Sequence, residues 1–136
     1  METKTINIFS NYIYLFCGLY LFTQKLYIYG TIAIIVWFVS HMYHLDIDDC
    51  FWDRSDTIIA TICFVFILIN CKDVLCKKYI IYLMLTLSFL FSGIYFCRND
   101  EIHKYDIIHS IWHILSALFI TNLVIKNNKL LLNSVN

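Results

Sequence analysis

Two pairs of polar side chains occur inside long apolar stretches of this sequence, where ionisable groups are costly. His109 and His113 are four residues apart, and so are Ser40 and His44, so each pair shares one face if its segment is helical. Three imidazoles that converge and leave a fourth position open form the ligand set of a catalytic zinc site. His44, His109 and His113 could supply such a set of zinc ligands from two helices, and the alternative is that these polar residues at helix ends are solvated in the headgroup region.

Acidic residues follow soon after His44 and could complete such a site. Asp56, or else Asp53, would hold and deprotonate the water molecule whose pKa a zinc ion lowers toward about 7. Ser40, one turn from His44, could donate a hydrogen bond to a substrate carbonyl or to its oxyanion. This combination predicts metal-assisted hydrolysis, at a site that opens to lipid or to the membrane interface.

The composition indicates which kind of fold must position these residues. The chain has 136 residues, 60% hydrophobic residues, 15% charged residues, no proline and a mean hydropathy of +0.70. Soluble domains contain about 45–50% apolar and about 25% charged residues, so the composition indicates an integral membrane protein that crosses the bilayer several times. Its ten basic and ten acidic residues cancel, which argues against a nucleic-acid partner.

A transmembrane helix needs about 20 mainly apolar residues to cross a hydrocarbon core of about 30 Å. By that measure the sequence predicts an all-α transmembrane helical bundle of about five spans, in one domain over residues 1–136. The third span is the weakest, because its unbroken apolar stretch (57–69) is barely long enough. The predicted spans are 6–22, 26–44, 52–70, 78–97 and 104–125.

The direction of the spans places the polar clusters at one membrane face. The second span ends near His44, the third begins near Asp56 and the fifth begins near His109, so all three clusters lie at the face that carries the N-terminus. The opposite face carries six lysines, whereas this face carries four basic residues (Lys25, Lys72, Lys77, Lys78, Lys126 and Lys129 against Lys4, Arg54, Arg98 and Lys104). Loops rich in Lys and Arg lie preferentially on the cytoplasmic side of a membrane. We therefore expect a lumenal or extracellular N-terminus and a cytoplasmic C-terminus.

Other polar residues near the same face have simpler interpretations. His41 and His103 are expected to be solvated in the headgroup region. Asp46, Asp48 and Asp49 are expected to form a solvated acidic loop. Cys50 and Cys97 would both lie at this oxidising face, where a disulfide bridge between them could form.

The order of the clusters resembles the CREST superfamily of membrane proteins, which includes alkaline ceramidases, progestin and adipoQ receptors, hemolysin-III-like proteins and myomaker. The family pattern is a Ser shortly before a His at the end of one span, an Asp entering the next, and His-x-x-x-His opening the last. In this sequence these positions are Ser40, His44, Asp56, His109 and His113.

The resemblance implies that the three histidines bind zinc, with Asp56 and Ser40 beside the bound water. Asp56 is preferred to Asp53 because it lies deeper in its helix. The ceramidases in the family cleave a lipid amide, which implies a hydrolase of lipid amides or esters whose partner is a membrane lipid.

The resemblance also implies a shortened fold. Family members usually have seven spans, and the two missing here would fall between Asp56 and His109. Removing one helical hairpin leaves both residues at the same face. Five spans enclose little volume, so a homodimer that completes the cavity is conceivable.

A non-enzymatic function is the alternative. Myomaker-like members act in membrane remodelling and cell fusion, and such a protein would keep the polar residues for helix packing. In that case zinc could still bind as a structural ion, while Ser40 and Asp56 would be dispensable.

Overall fold

The computed structural model describes residues 2–45, 50–99 and 101–135, apart from the side chains of residues 2–5, 50, 53, 134 and 135. The all-α prediction is confirmed. The predicted acidic loop of Asp46, Asp48 and Asp49 and the side chains of Cys50 and Asp53 lie outside the described residues. The described chain forms a single turn of 3-10 helix at Lys72–Val74 and five long helices, namely α1 (Glu2–Thr23), α2 (Tyr27–Leu45), α3 (Cys50–Asn70), α4 (Lys77–Arg98) and α5 (Ile102–Val135).

Four of these helices, α1, α2, α4 and α5, are long and apolar enough to cross a membrane. This supports an integral, multi-pass membrane protein. The helix α3 has 21 residues but carries Arg54 and Asp56 near its beginning, which shortens its apolar stretch.

The helix α5 runs on to Val135 instead of ending at residue 125. No glycine or proline follows Ile125 to stop it, and its 34 residues give a rod of about 50 Å. A helix of this length exceeds a hydrocarbon core of about 30 Å. The C-terminal turns of α5 therefore extend beyond one bilayer thickness if the helix is not strongly tilted.

A tight connection joins α1 to α2. Lys25 has a positive φ of 60°, and the amide nitrogens of Lys25 and Leu26 donate to the carbonyl oxygens of Phe22 and Leu21 at 2.9 and 3.0 Å. These two bonds are the Schellman pattern that ends a helix on a left-handed residue. The two helices consequently turn back on each other within a few residues.

The five helices form an open arc. Along the arc, α4 packs on α5, α5 on α1, α1 on α2 and α2 on α3. Within the described chain, α3 and α4 have no extensive contact with each other, so they form the two ends of the arc. An apolar cluster joins the helices at the end of the bundle away from His44, and it consists of Leu21, Ile67, Cys71, Val74, Phe119, Leu123 and Val124.

The backbones of α1 and α2 approach each other closely where two glycines face each other. A Cβ atom on Gly18 would lie 3.0 Å from the Gly30 carbonyl oxygen, and a Cβ atom on Gly30 would lie 3.0 Å from the Gly18 carbonyl oxygen. Small residues allow this approach between membrane helices, where packing rather than the hydrophobic effect drives association.

We expect Gly30→Ala to destabilise the bundle by about 1–3 kcal/mol, because the added methyl group meets backbone and the ring of Phe22 and forces α1 and α2 apart. Gly93→Ala is the matched control, since a Cβ atom there meets only ordinary contacts at 3.8 and 3.9 Å. Reversible unfolding in mixed micelles, followed by far-UV circular dichroism, measures both. Equal stability of the two variants would contradict the close approach.

Candidate metal centre

Three histidines from two helices converge at the end of the bundle opposite the apolar cluster. His44 lies in the last turn of α2, and His109 and His113 lie one turn apart on one face of α5. The ring centroid of His44 lies 5.3 Å from that of His109 and 5.2 Å from that of His113. The centroids of His109 and His113 are 4.4 Å apart. One potential ligand atom from each residue lies within 4.8 Å of the others.

The helix α1 makes this convergence possible. It packs against both α2 and α5, so the C-terminal end of α2 is held beside the N-terminal half of α5. The i,i+4 spacing then presents His109 and His113 together, and His44 meets them from the neighbouring side.

The chemistry of this set fits a zinc ion. All three side chains are buried, with His44 at 1%, His109 at 9% and His113 at 0% exposure. The Nε2 atoms of His109 and His113 have no hydrogen-bond partner among the described residues. Imidazole nitrogen suits Zn²⁺, which holds it at about 2.0–2.1 Å, so ligand atoms up to 4.8 Å apart would have to move closer together to share one ion.

A polar network from α1 supports the histidines. The Oγ atom of Ser10 lies 3.0 Å from Nδ1 of His113. The Nδ2 atom of Asn7 donates to Oδ1 of Asp106 at 2.6 Å, and Oγ of Ser110 donates to Oδ1 of Asn7 at 2.7 Å. Tyr14 and Ser116 join the same two helices one to two turns deeper, with their hydroxyl oxygens 2.5 Å apart.

The sequence analysis missed this contribution of α1, although a signal was present. Asn7, Ser10, Asn11 and Tyr14 recur at intervals of three and four residues in an otherwise apolar segment. That spacing places polar side chains along one face of a helix. In a membrane span such a stripe indicates a buried polar interface rather than a lipid-facing surface.

A cavity of about 730 Å³ lies inside the arc and receives lining residues from all five long helices. Asp56 and His109 both line it at the histidine end, whereas residues such as Leu21, Ile67 and Ile120 line it at the apolar end. Most of its wall is hydrocarbon or aromatic, which is typical of a site for an apolar ligand. The predicted carboxylate thus shares a cavity with one of the predicted zinc ligands.

The remaining predicted residues have different positions. Ser40 is buried at 2% exposure, one turn before His44, but the residues that line the cavity do not include it. His103 is exposed, and its location in the headgroup region stays a prediction. His41 is not fully solvated, because its half-buried ring stacks on Trp37 at 5.5 Å and meets Tyr12 edge-on at 5.4 Å.

The chain finds no match among protein-family models, curated proteins or solved structures. The resemblance noted above therefore depends on the five positions that carry it.

We expect purified protein to contain about one zinc ion per chain, and His44→Ala and His113→Ala each to remove most of it, because each deletes one of three buried donors. His41→Ala is the matched control, since His41 lies on α2 one turn before His44 and contacts aromatic rings instead of the other imidazoles. Elemental analysis of detergent-purified protein provides the measurement. Metal-free wild-type protein, or equal metal loss in His41→Ala, would contradict the assignment.

Proposed function

We propose that this protein is a zinc-dependent hydrolase that cleaves an amide or ester bond of a lipid within the membrane. The observation that carries the proposal is the convergence of three buried imidazoles beside a largely apolar cavity that Asp56 also lines. A set of three metal ligands alone is also compatible with a structural metal ion. A metal set, a carboxylate and an apolar cavity of about 730 Å³ are together what hydrolysis of a lipid requires.

In this proposal the zinc ion, when bound, polarises the scissile carbonyl group and lowers the pKa of water toward about 7. Asp56 would act as general base and acid, accepting a proton from the attacking water molecule and later returning it to the leaving group. The apolar wall of the cavity binds the acyl chain and excludes bulk water.

The remaining residues have supporting functions. His44, His109 and His113 hold the ion, and the burial of these side chains keeps competing ligands away. Ser40 lies one turn from His44 but does not line the cavity. We therefore propose that its hydroxyl group acts near the metal ligands and does not contact the acyl chain.

Two further observations support the proposal. The five site positions have the order of the CREST pattern, whose ceramidase members are lipid amidases. The excess of lysines on the opposite face favours a site that opens at the lumenal or extracellular surface.

We expect Asp56→Asn to retain zinc and to lower the hydrolysis rate at least about 100-fold, because the amide keeps the shape of the carboxylate but cannot accept the proton. Release of fatty acid from N-acyl and O-acyl lipids in mixed micelles, detected by mass spectrometry, measures the rate. Asp73→Asn is the matched control, since Asp73 is an exposed carboxylate in the 3-10 turn that follows α3.

Two results would contradict an enzymatic function. One is zinc-loaded wild-type protein that releases no fatty acid from either lipid class. The other is a biological activity, such as membrane remodelling, that Asp56→Asn and Ser40→Ala both leave intact. The second result would favour the non-enzymatic, myomaker-like alternative, in which the zinc ion is structural.

A further inference from the structure

We infer that Ser10 of α1 is a positioning residue that fixes the tautomer of His113, with the ring proton on Nδ1 and the lone pair on Nε2. The consequence for the metal centre rests on the proposed function, because it concerns how well His113 serves as a zinc ligand. The tautomer itself is a property of the metal-free protein.

The hydrogen bonds of Ser10 determine the direction of its contact with His113. A serine hydroxyl has one hydrogen to donate and two lone pairs that accept. The Ser10 hydroxyl donates its hydrogen to the Asn7 carbonyl oxygen at 3.0 Å. While that bond is made, the contact with Nδ1 of His113, also at 3.0 Å, uses a lone pair of the oxygen. It follows that Nδ1 of His113 carries the hydrogen and donates it.

The other ring nitrogen is then available to a metal ion. A neutral imidazole with its proton on Nδ1 has an unprotonated Nε2. In His113 this atom is buried and has no hydrogen-bond partner among the described residues, while the ring lies against the other two imidazoles. Ser10 thus directs the lone pair of His113 toward the predicted ion, as partners of metal-bound histidines commonly do.

The backbone around Ser10 is itself held to α5. The side chain of Asn7, one turn before Ser10, donates to Asp106 at 2.6 Å and accepts from Ser110 at 2.7 Å. Asn7, Asp106 and Ser110 are all buried. These bonds attach the first turns of α1 to the helix that carries His113, so the Ser10 hydroxyl has little freedom to move away from the ring.

The first test measures the tautomer in metal-free protein. In wild-type protein with ¹⁵N-labelled histidine, we expect the His113 signals to show a protonated Nδ1 and an unprotonated Nε2, with assignment by comparison with His113→Gln. In Ser10→Ala we expect a mixture of tautomers, because Nδ1 has lost its acceptor. A protonated Nε2 in wild-type protein, or an unchanged pattern in Ser10→Ala, would overturn the inference.

The second test measures metal affinity. We expect Ser10→Ala to bind Zn²⁺ about 10- to 100-fold more weakly than wild-type protein, the usual cost of losing such a partner. Ser10→Thr should recover most of the affinity, because it keeps a hydroxyl that can donate to a carbonyl oxygen one turn earlier. Ser88→Ala is the matched control, since Ser88 makes the same bond to the carbonyl three residues earlier, at 2.7 Å to Leu85, but lies in α4.

The outcomes distinguish this inference from the proposed function. Equal zinc affinity of wild-type and Ser10→Ala protein would overturn the positioning role and leave the metal centre intact. Absence of zinc binding by wild-type protein would overturn the metal centre, while the tautomer measurement would still decide the state of His113. Loss of affinity in Ser10→Thr as large as in Ser10→Ala would also contradict a role for the hydroxyl.

Discussion

The need to satisfy polar groups in an apolar environment determines how this bundle is built. The helix α5 carries a polar stripe through its first half, and every member of the stripe is buried (Asp106, His109, Ser110, His113 and Ser116). If this stripe faced lipid, its burial in hydrocarbon would cost several kcal/mol of free energy. The helix α1 covers it with a matching stripe, of which Asn7, Ser10 and Tyr14 form direct hydrogen bonds to α5. The pairing of these two helices then decides where α2, and with it His44, must lie.

Packing stability alone is a weak explanation for so many buried polar groups. Hydrogen bonds between membrane helices contribute about 0.6 kcal/mol each on average, whereas a buried polar atom without a partner costs about 1–3 kcal/mol. The Nε2 atoms of His109 and His113 are such atoms among the described residues. Burial of these two nitrogen atoms without a partner therefore costs free energy. A metal ion that binds these atoms would offset it, which is why the unpartnered nitrogens are better evidence for a ligand than the histidine spacing alone.

Much of the fold followed from the sequence, because the signals were long and local. Apolar stretches of about 20 residues predicted the helices, and alternating direction across the membrane predicted that His44, Asp56, His109 and His113 would share one end of the bundle. The network around Asn7 could not be predicted in the same way, since its bonds join residues about 100 positions apart and depend on which helices are neighbours. The environment of His41 was mistaken for the same reason, because the aromatic rings that bury it come partly from α1.

The open arc bears on the lipid substrate that we propose. Buried apolar side chains of α1, α3 and α5 close the bundle at the end away from the histidines, but within the described chain α3 and α4 do not pack extensively against each other beside the cavity. The CREST resemblance implies a missing helical hairpin between Asp56 of α3 and His109 of α5. A gap between membrane helices faces hydrocarbon, so an acyl chain that enters there never has to cross water. The homodimer that would complete the cavity wall stays a prediction.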